Sequence, residues 1–554
     1  MVRSAPPFLI HFAPLRSEMA TGSLWAALLR RARDGNPMAP YLRAVPFARF
    51  ESLRPFSSGH SRGEAVAVEE ERAARLDDLR SRLFRLRFPK RSATAALDKW
   101  VGEGRKVTAS DLRQIAKDLK RSQRYKHALE ILTWMDSWDN FQPSSADHAA
   151  RLEMITKVHS IAEAELYFEK LSDSASRRVA SFPLLHHYVK ERNLEKAEAL
   201  MSMLLNLGLV VDPHPFNEMM KLYVATGQYK KVLAVIQHMK RCKIPRNVLS
   251  YNLWLNASGE LSGVAVVEMV HEEMMNDKNV EVGWSTYSTL ANIYTKSGLL
   301  DKAFAALRTA EERLSVRKRL GYSFLMTNYA ALKDRDGILR LWESSKRVPG
   351  RISCANYMSV MLCLIKVGDI QEAEKVFKTW EMECRKYDVR VSNVLLGAYM
   401  RNGWMDRAEA LHLYTLEEGA CPNYKTWEIL MEGWVKCNQM DKAVEAMKKG
   451  FSMLKACNWR PRSDIVVAIA KYFEEQGNIQ ETERYVKVLR HLRLMSLPIY
   501  KSYLRACINA KRAAPSMLEK MARDGISLDA EAEELIQRVS KLDNISAYND
   551  FYLW

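Results

Sequence analysis

Apolar residues recur along most of this chain at three- and four-residue spacing, the period of a helix with one packed face. Phe216, Met219, Met220 and Tyr223 form one such stripe. The stripes are short and come in pairs, and the pairs repeat. Three segments align on one another: Trp284-Ser-Thr-Tyr-Ser-Thr-Leu to Ala303, Val389-Arg-Val-Ser-Asn-Val-Leu to Ala408, and Tyr424-Lys-Thr-Trp-Glu-Ile-Leu to Ala443. In each, Gly298, Gly403 or Asn438 stands three residues before an acid and five before an alanine. Extending this frame gives twelve units: 109–144, 145–177, 178–212, 213–247, 248–283, 284–318, 319–353, 354–388, 389–423, 424–462, 463–496 and 497–529.

Each unit reads as a helix, a turn and a second helix. Gly227, Gly298, Gly368, Gly403 and Gly477 suit a left-handed end to the first helix. Glu195, Asp301, Asp406 or Asp441 then opens the second helix, where an acid can cap free amides and oppose the positive helix end. Ala197, Ala303, Ala373, Ala408 and Ala443 leave room for close helix approach, and Phe168, Phe304, Phe377, Met135 and Met239 fill the core. Pro143, Pro245, Pro422 and Pro461 fall near unit ends, where a helix must stop. One hairpin cannot bury both faces, so the units are expected to stack into an all-α solenoid.

The ends differ from the middle. Residues 1–56 hold eight arginines, no lysine and three acids (Glu18, Asp34 and Glu51), with Leu24, Trp25, Leu28 and Leu29 on one helical face. That is the make-up of a cleavable mitochondrial presequence, and it implies the matrix. Arg54-Pro55-Phe56-Ser57-Ser58 resembles a plant mitochondrial processing site. Residues 57–108 read as a Ser/Gly-rich linker and capping helices. One helix carries Leu76, Leu79, Leu83 and Leu86, and a shorter one runs from Ala95 to Trp100. Residues 530–554 read as a C-terminal capping helix and tail.

Composition narrows the function classes. The net charge is +18, and removing eight arginines and three acids with residues 1–56 still leaves +13, which suits a polyanionic partner. The eight cysteines include no Cys-x-x-Cys pair and read as small buried hydrophobes in a reducing compartment. No apolar run is long enough to span a bilayer, so no membrane insertion is expected. No phosphate-cradling glycine loop, catalytic constellation or metal-ligand spacing is present. His186-His187 and His271-Glu272-Glu273 lack a third ligand, and no cofactor is implied.

The Tyr251-Asn252 start, the Gly-x-x-Asp-x-Ala turn and the near-terminal prolines resemble the pentatricopeptide repeat family, of the P-class plant mitochondrial type, over residues 109–529. The tetratricopeptide repeat has a similar period, but it expects a glycine where this chain has Met220, Ala291 and Leu396. The resemblance implies a right-handed superhelix that binds single-stranded RNA at about one base per repeat. It also implies that a repeat's fifth and last residues read the base edge. Asn217 with Asn247 and Asn393 with Asn423 carry the pair associated with pyrimidines, and Asn252 opposite Gly283 is a half match. Ser288 and Ser323 are polar at the fifth position, with Lys318 and Ser353 as partners. Phe182, Met358, Glu428, Val467 and Lys501 depart from the pattern. Arg390 stands where a stacking residue is expected, and a guanidinium can stack on a base. The family includes members with a C-terminal zinc deaminase, but no Cys-x-x-Cys is present here to hold the metal. The implied role is non-catalytic RNA binding in organellar processing, stability, splicing or translation, alone or with other RNA-processing proteins. A subunit docked on mitochondrial ribosomal RNA and a protein–protein scaffold are the alternatives.

Overall fold

The computed structural model describes residues 78–86, 91–138, 141–317, 319–453, 460–512, 514 and 516–551, with side chains through Lys541. The expected presequence and linker (1–77), Lys318, Cys457 and the last three residues lie outside the described residues. Among the described residues all regular structure is helical, and the helices fall into two compact bodies that meet in sequence at Leu314 and Ser315.

The first body opens with α1 (Leu79–Arg85) and α2 (Ala93–Gly102). Hairpins follow: α3 (Ala109–Arg121) with α4 (Tyr125–Met135), α5 (Ser145–Val158) with α6 (Ile161–Glu169), and α7 (Ser174–Lys190) with α8 (Leu194–Asn206). Next come α9 (Pro213–Ala225) with α10 (Tyr229–Arg241), α11 (Val248–Leu261) with α12 (Val264–Asn276), and α13 (Trp284–Lys296) with α14 (Leu300–Glu312). The second body pairs α15 (Leu320–Ala331) with α16 (Arg335–Lys346), α17 (Cys354–Val367) with α18 (Ile370–Glu383), and α19 (Val389–Arg401) with α20 (Met405–Glu417). It continues with α21 (Tyr424–Lys436) and α22 (Met440–Ser452), α23 (Ser463–Glu475) and α24 (Ile479–His491), then α25 (Leu497–Asn509) and α26 (Met517–Arg523), and ends in α27 (Ala530–Phe551).

Within each body the first helices of neighbouring hairpins pack on one another, and each second helix fits against first helices. The close approach needs small residues. Ala197, Ala303, Ala373, Ala408 and Ala443 are fully buried on the second helices. Gly298 and Gly403 turn the chain at φ +75°, and Asn438, Lys333 and Arg192 adopt the same left-handed conformation without glycine's freedom. Pro143, Pro245, Pro422 and Pro461 all lie in connecting segments. At the start of the first body, Arg124 donates to the Phe84 carbonyl (2.8 Å) and Glu130 accepts the Ala93 amide (2.6 Å), tying α1 and α2 to α4.

Adjacent hairpins are joined by a repeated polar tie. A tyrosine late in a first helix donates to a glutamate on the preceding second helix, and a cation on its own second helix shares that glutamate. Tyr223 and Lys231 meet Glu198 at 2.9 and 2.7 Å. Tyr188 and Lys196 meet Glu165 at 2.5 and 2.7 Å, and Tyr399 and Arg407 meet Glu374 at 2.8 and 2.7 Å. The cation also sits over the tyrosine ring, at 5.3 Å for Lys231 and 4.9 Å for Arg407. A second tyrosine closes each of several hairpins on itself: Tyr251 donates to Asp277 at 2.9 Å and Tyr500 to Asp524 at 2.5 Å.

Three expectations change. Helix α7 starts a turn before residue 178, because Asp173 caps it by accepting from the Ala175 and Ser176 amides. The acids at the starts of second helices do not all cap. Asp301, Asp406 and Asp441 lie inside the first turn, where only their charge helps, while Asn193, Asp334, Asp369 and Asn478 accept the free amides. The cysteines are not uniformly buried: Cys363 and Cys507 are core residues, but Cys242, Cys421 and Cys437 are exposed.

The Lys231 ammonium holds the Glu198 carboxyl below its ordinary value, with Tyr223 adding to the effect. The resulting stabilisation is present above the unfolded carboxylate value of about 4.3 and is lost as pH falls through the folded one. Glu198→Ala is expected to cost about 1–2 kcal/mol in urea unfolding at neutral pH, mostly through the stranded Tyr223 hydroxyl. Lys231→Ala should cost less, its partner being open to water. The difference between Glu198→Ala and the parent should shrink near pH 3. Equal costs for the two variants, or a difference unchanged by acid, would contradict the tie.

Candidate nucleic-acid interface

Packing leaves one stripe of each first helix the least covered, although Ser359, Gly397 and Ser502 on it are buried. Within a unit, the second, sixth, ninth and thirteenth residues share it, because steps of four, three and four residues return to one side of a helix. In α19 the stripe is Arg390, Val394, Gly397 and Arg401, and in α21 it is Lys425, Ile429, Glu432 and Lys436. Basic residues outnumber acids on it. Many close the helix, where a cation also complements the dipole: Lys296, Lys366, Arg401 and Lys436 all sit in a last turn.

In the first body the acids on the stripe are matched. Glu218 accepts from Lys221 at 2.5 Å and bonds His186 at 3.2 Å, and Glu153 and Glu260 pair with Lys120 and Lys296. In the second body, among the described residues, no carboxylate lies within ion-pair reach of Lys366 or Arg401. Burial pushes the Lys366 ammonium down, and nearby Lys333 adds to it. Burial likewise lowers Arg401, whose guanidinium folds back across Gly397. Both residues still reach solvent, so each presents an unpaired positive charge to an anion.

Fifth and last residues are brought together. The Asn217 side-chain amide donates to the Asn247 oxygen at 3.1 Å, and Asn393 donates to Asn423 at 3.3 Å. Lys501 meets Asp529 at 2.6 Å, so a departing pair has the same geometry with its charges already spent. The last residue also has a structural duty that the repeat pattern alone does not reveal. Asn247 and Asn423 are the N-caps of α11 and α21, each accepting from the third residue of the next unit in a reciprocal capping box. Ser353 caps α17 with the same reciprocal box, while Asp212 and Asp388 cap α9 and α19 by accepting the second residue's amide. The signal was available in sequence, since Asp, Asn and Ser directly before an apolar stripe mark a helix start.

The remaining candidates fall differently. Asn217 and Asn393 are buried, and Asn247 and Asn423 are half-buried. Asn252 faces Gly283, which has no side chain to meet, and donates to Ser285 at 3.4 Å instead. Ser323 is buried, and its partner position Ser353 is held by Asn356. Ser288 is half-buried on α13. Arg390 is clamped edge-on by Asp388, at 2.9 and 2.6 Å. Burial acts to raise the Asp388 carboxyl, and the Arg390 guanidinium overrides it, holding it below its usual range. The clamp fixes the guanidinium plane and uses its edge, not its faces. His187 packs on Tyr188, and His271 on Tyr287.

A pentatricopeptide repeat domain model matches residues 200–260, and a single-repeat model of the same family matches 285–312 and 391–419. A pentatricopeptide repeat-containing protein of Arabidopsis thaliana is 53% identical over 446 residues, covering 80% of this chain and 91% of its own. This chain belongs to the pentatricopeptide repeat family. A second relative from the same plant, named as mitochondrial, is 34% identical over 399 residues and covers 71% of this chain and 96% of its own. Among solved structures, the maize pentatricopeptide repeat protein PPR10 aligns with a TM-score of 0.42 and 17% identity, covering 88% of this chain and 76% of its own. The same protein in complex with an 18-nt psaJ RNA element aligns at 0.35 and 14%, covering 89% and 88%.

Because Asn247 both caps a helix and meets Asn217, its two duties should separate on mutation. Asn247→Ala is expected to cost about 1 kcal/mol in urea unfolding, whereas Asn247→Asp, which keeps the cap, should cost far less. Equal losses would place its stabilising contribution elsewhere than the cap.

Proposed function

We propose that this chain is a non-catalytic binder of single-stranded RNA, acting in mitochondria and supporting processing, stability, splicing or translation of organellar transcripts. The observation that carries the reading is the basic stripe of the first helices, set beside two asparagine pairs. The stripe supplies sequence-blind attraction to phosphates, and Lys366 and Arg401 are cations with no carboxylate of the described chain to satisfy them. Asparagine amides carry both donor and acceptor, which is what reading a base edge requires. Exposed Leu249 and the clamped Arg390 offer surfaces on which a base can stack. A mitochondrial setting is supported by the presequence-like composition of residues 1–56 and by relatives named as mitochondrial.

Two mutant sets test the division of labour in titrations with labelled single-stranded RNA. Lys366→Gln with Arg401→Gln and Lys436→Gln should weaken all RNAs alike and flatten the salt dependence. Asn217→Ala with Asn393→Ala should erode sequence preference more than affinity. For the parent chain, affinity should fall about tenfold or more between about 50 and 200 mM salt. A flat salt response would remove the phosphate reading, and an unchanged preference would remove the role of the asparagines. Crosslinking in vivo is expected to give discrete footprints on organellar transcripts; reads spread over ribosomal RNA would favour a ribosomal subunit instead.

A further inference from the structure

The two asparagine pairs are not chemically equivalent, and the difference lies in the third residue of the following unit. In the first pair, the Asn247 oxygen is fixed inward because it accepts the Ser250 amide at 3.0 Å. Asn217 donates to that same oxygen, and its own oxygen lies beside it, within reach of Ser250. There it accepts the Ser250 hydroxyl at 2.8 Å, closer than that hydroxyl's 3.1 Å approach to Asn247. Both amide oxygens of this pair therefore already accept within the chain, and the pair presents chiefly N–H groups. In the second pair, Thr426 stands where Ser250 does. Its hydroxyl stays with Asn423 at 3.3 Å, and the Asn393 oxygen is buried with no donor in reach. Asn252 behaves like Asn393: the next unit again carries threonine, Thr286, whose hydroxyl turns to the Met274 sulfur at 3.9 Å, and the Asn252 oxygen is buried without a partner. A threonine hydroxyl is held by its β-branch, whereas a serine hydroxyl swings freely to the neighbouring amide.

We infer that Ser250 makes the Asn217–Asn247 pair selective for cytosine over uracil, while Thr426 leaves the Asn393–Asn423 pair open to both. The inference rests on the RNA-binding reading above. A pair offering chiefly N–H groups suits cytosine, whose N3 and O2 are adjacent acceptors. It meets uracil's N3–H donor head-on, and two facing donors with no acceptor between them cost the desolvation of both. A pair with a vacant oxygen can take the N3–H of uracil or the amino group of cytosine. Ser250 is a positioning residue: it acts through Asn217.

The test is selection and sequencing from a randomised single-stranded RNA pool with the full chain. The position whose preference vanishes in Asn217→Ala defines the base read by that pair. At that position Ser250→Thr should lower the cytosine-to-uracil ratio about tenfold, with little change in total affinity. The reciprocal Thr426→Ser should raise the ratio at the position lost in Asn393→Ala, and it serves as the readout should Ser250→Thr unfold. Ratios unchanged in variants that bind as tightly as the parent overturn the inference and leave RNA binding standing. A parent chain with no position dependent on Asn217 overturns this inference together with the pairwise reading beneath it.

Discussion

Every first helix in this array begins with amides that have no partner inside the helix, and in most of them the residue just before the helix supplies one. That requirement governs both the stacking and the candidate interface. The capping residue is the last of one unit and stands at the threshold of the next, so it holds two hairpins in register. It is also the residue that meets the fifth side chain of its own unit. Where that residue caps, the chemistry available for meeting a ligand is confined to side chains that can do so, as with Asn247, Asn423, Asp212, Asp388 and Ser353; Gly283 and Arg462 stand in the same place without capping. A cap uses an oxygen, so an asparagine in this place turns its carbonyl inward and keeps its amino group for anything outside. Aspartate has only oxygens to offer and, at Asp388, is neutralised by Arg390.

The tyrosine–glutamate–cation ties answer a different need. Packed alanines and methionines bring hairpins close but do not fix how far one rotates on the next. A hydroxyl, a carboxylate and an ammonium drawn from two units fix it, since each bond loses most of its strength within a small displacement. The ties recur at Glu165, Glu198 and Glu374, so the rotation is set locally and often. They also keep these glutamates paired, leaving the least covered stripe of the first helices to carry the basic excess.

Much of this was legible in the chain. The period, the helix pairs, the buried alanines and the left-handed turns follow from spacing and residue type alone, because each is decided within a few residues. The ties were not. Tyr223, Lys231 and Glu198 are ordinary surface-compatible residues in sequence, and their meeting depends on the angle between hairpins, which no local pattern contains. The start of α7 is set by Asp173, which lies outside the 178–212 unit and is not contained in the repeat spacing. For the site, the approach of fifth and last residues was implied by resemblance. That Asn217 is closed by Ser250 and Asn393 is not came only with the geometry, since serine and threonine look interchangeable in a sequence.

The units that depart from the asparagine pattern bear on how binding energy and selectivity divide. Lys501 and Asp529 neutralise each other, Phe182 packs against His214, and Met358 is buried. None of these offers an asparagine amide at the meeting point of fifth and last residues, yet the unit of Met358 keeps on its stripe the cation Lys366. Attraction to phosphate needs only charge at roughly the right place, and it survives the loss of any one reading pair. Selectivity needs an amide with an unsatisfied side, and that is rare because the fold consumes most such groups as caps and ties. The array therefore divides into many positions that hold a strand and few that question it. The sharper the demand for stable stacking, the fewer polar side chains remain to do the questioning.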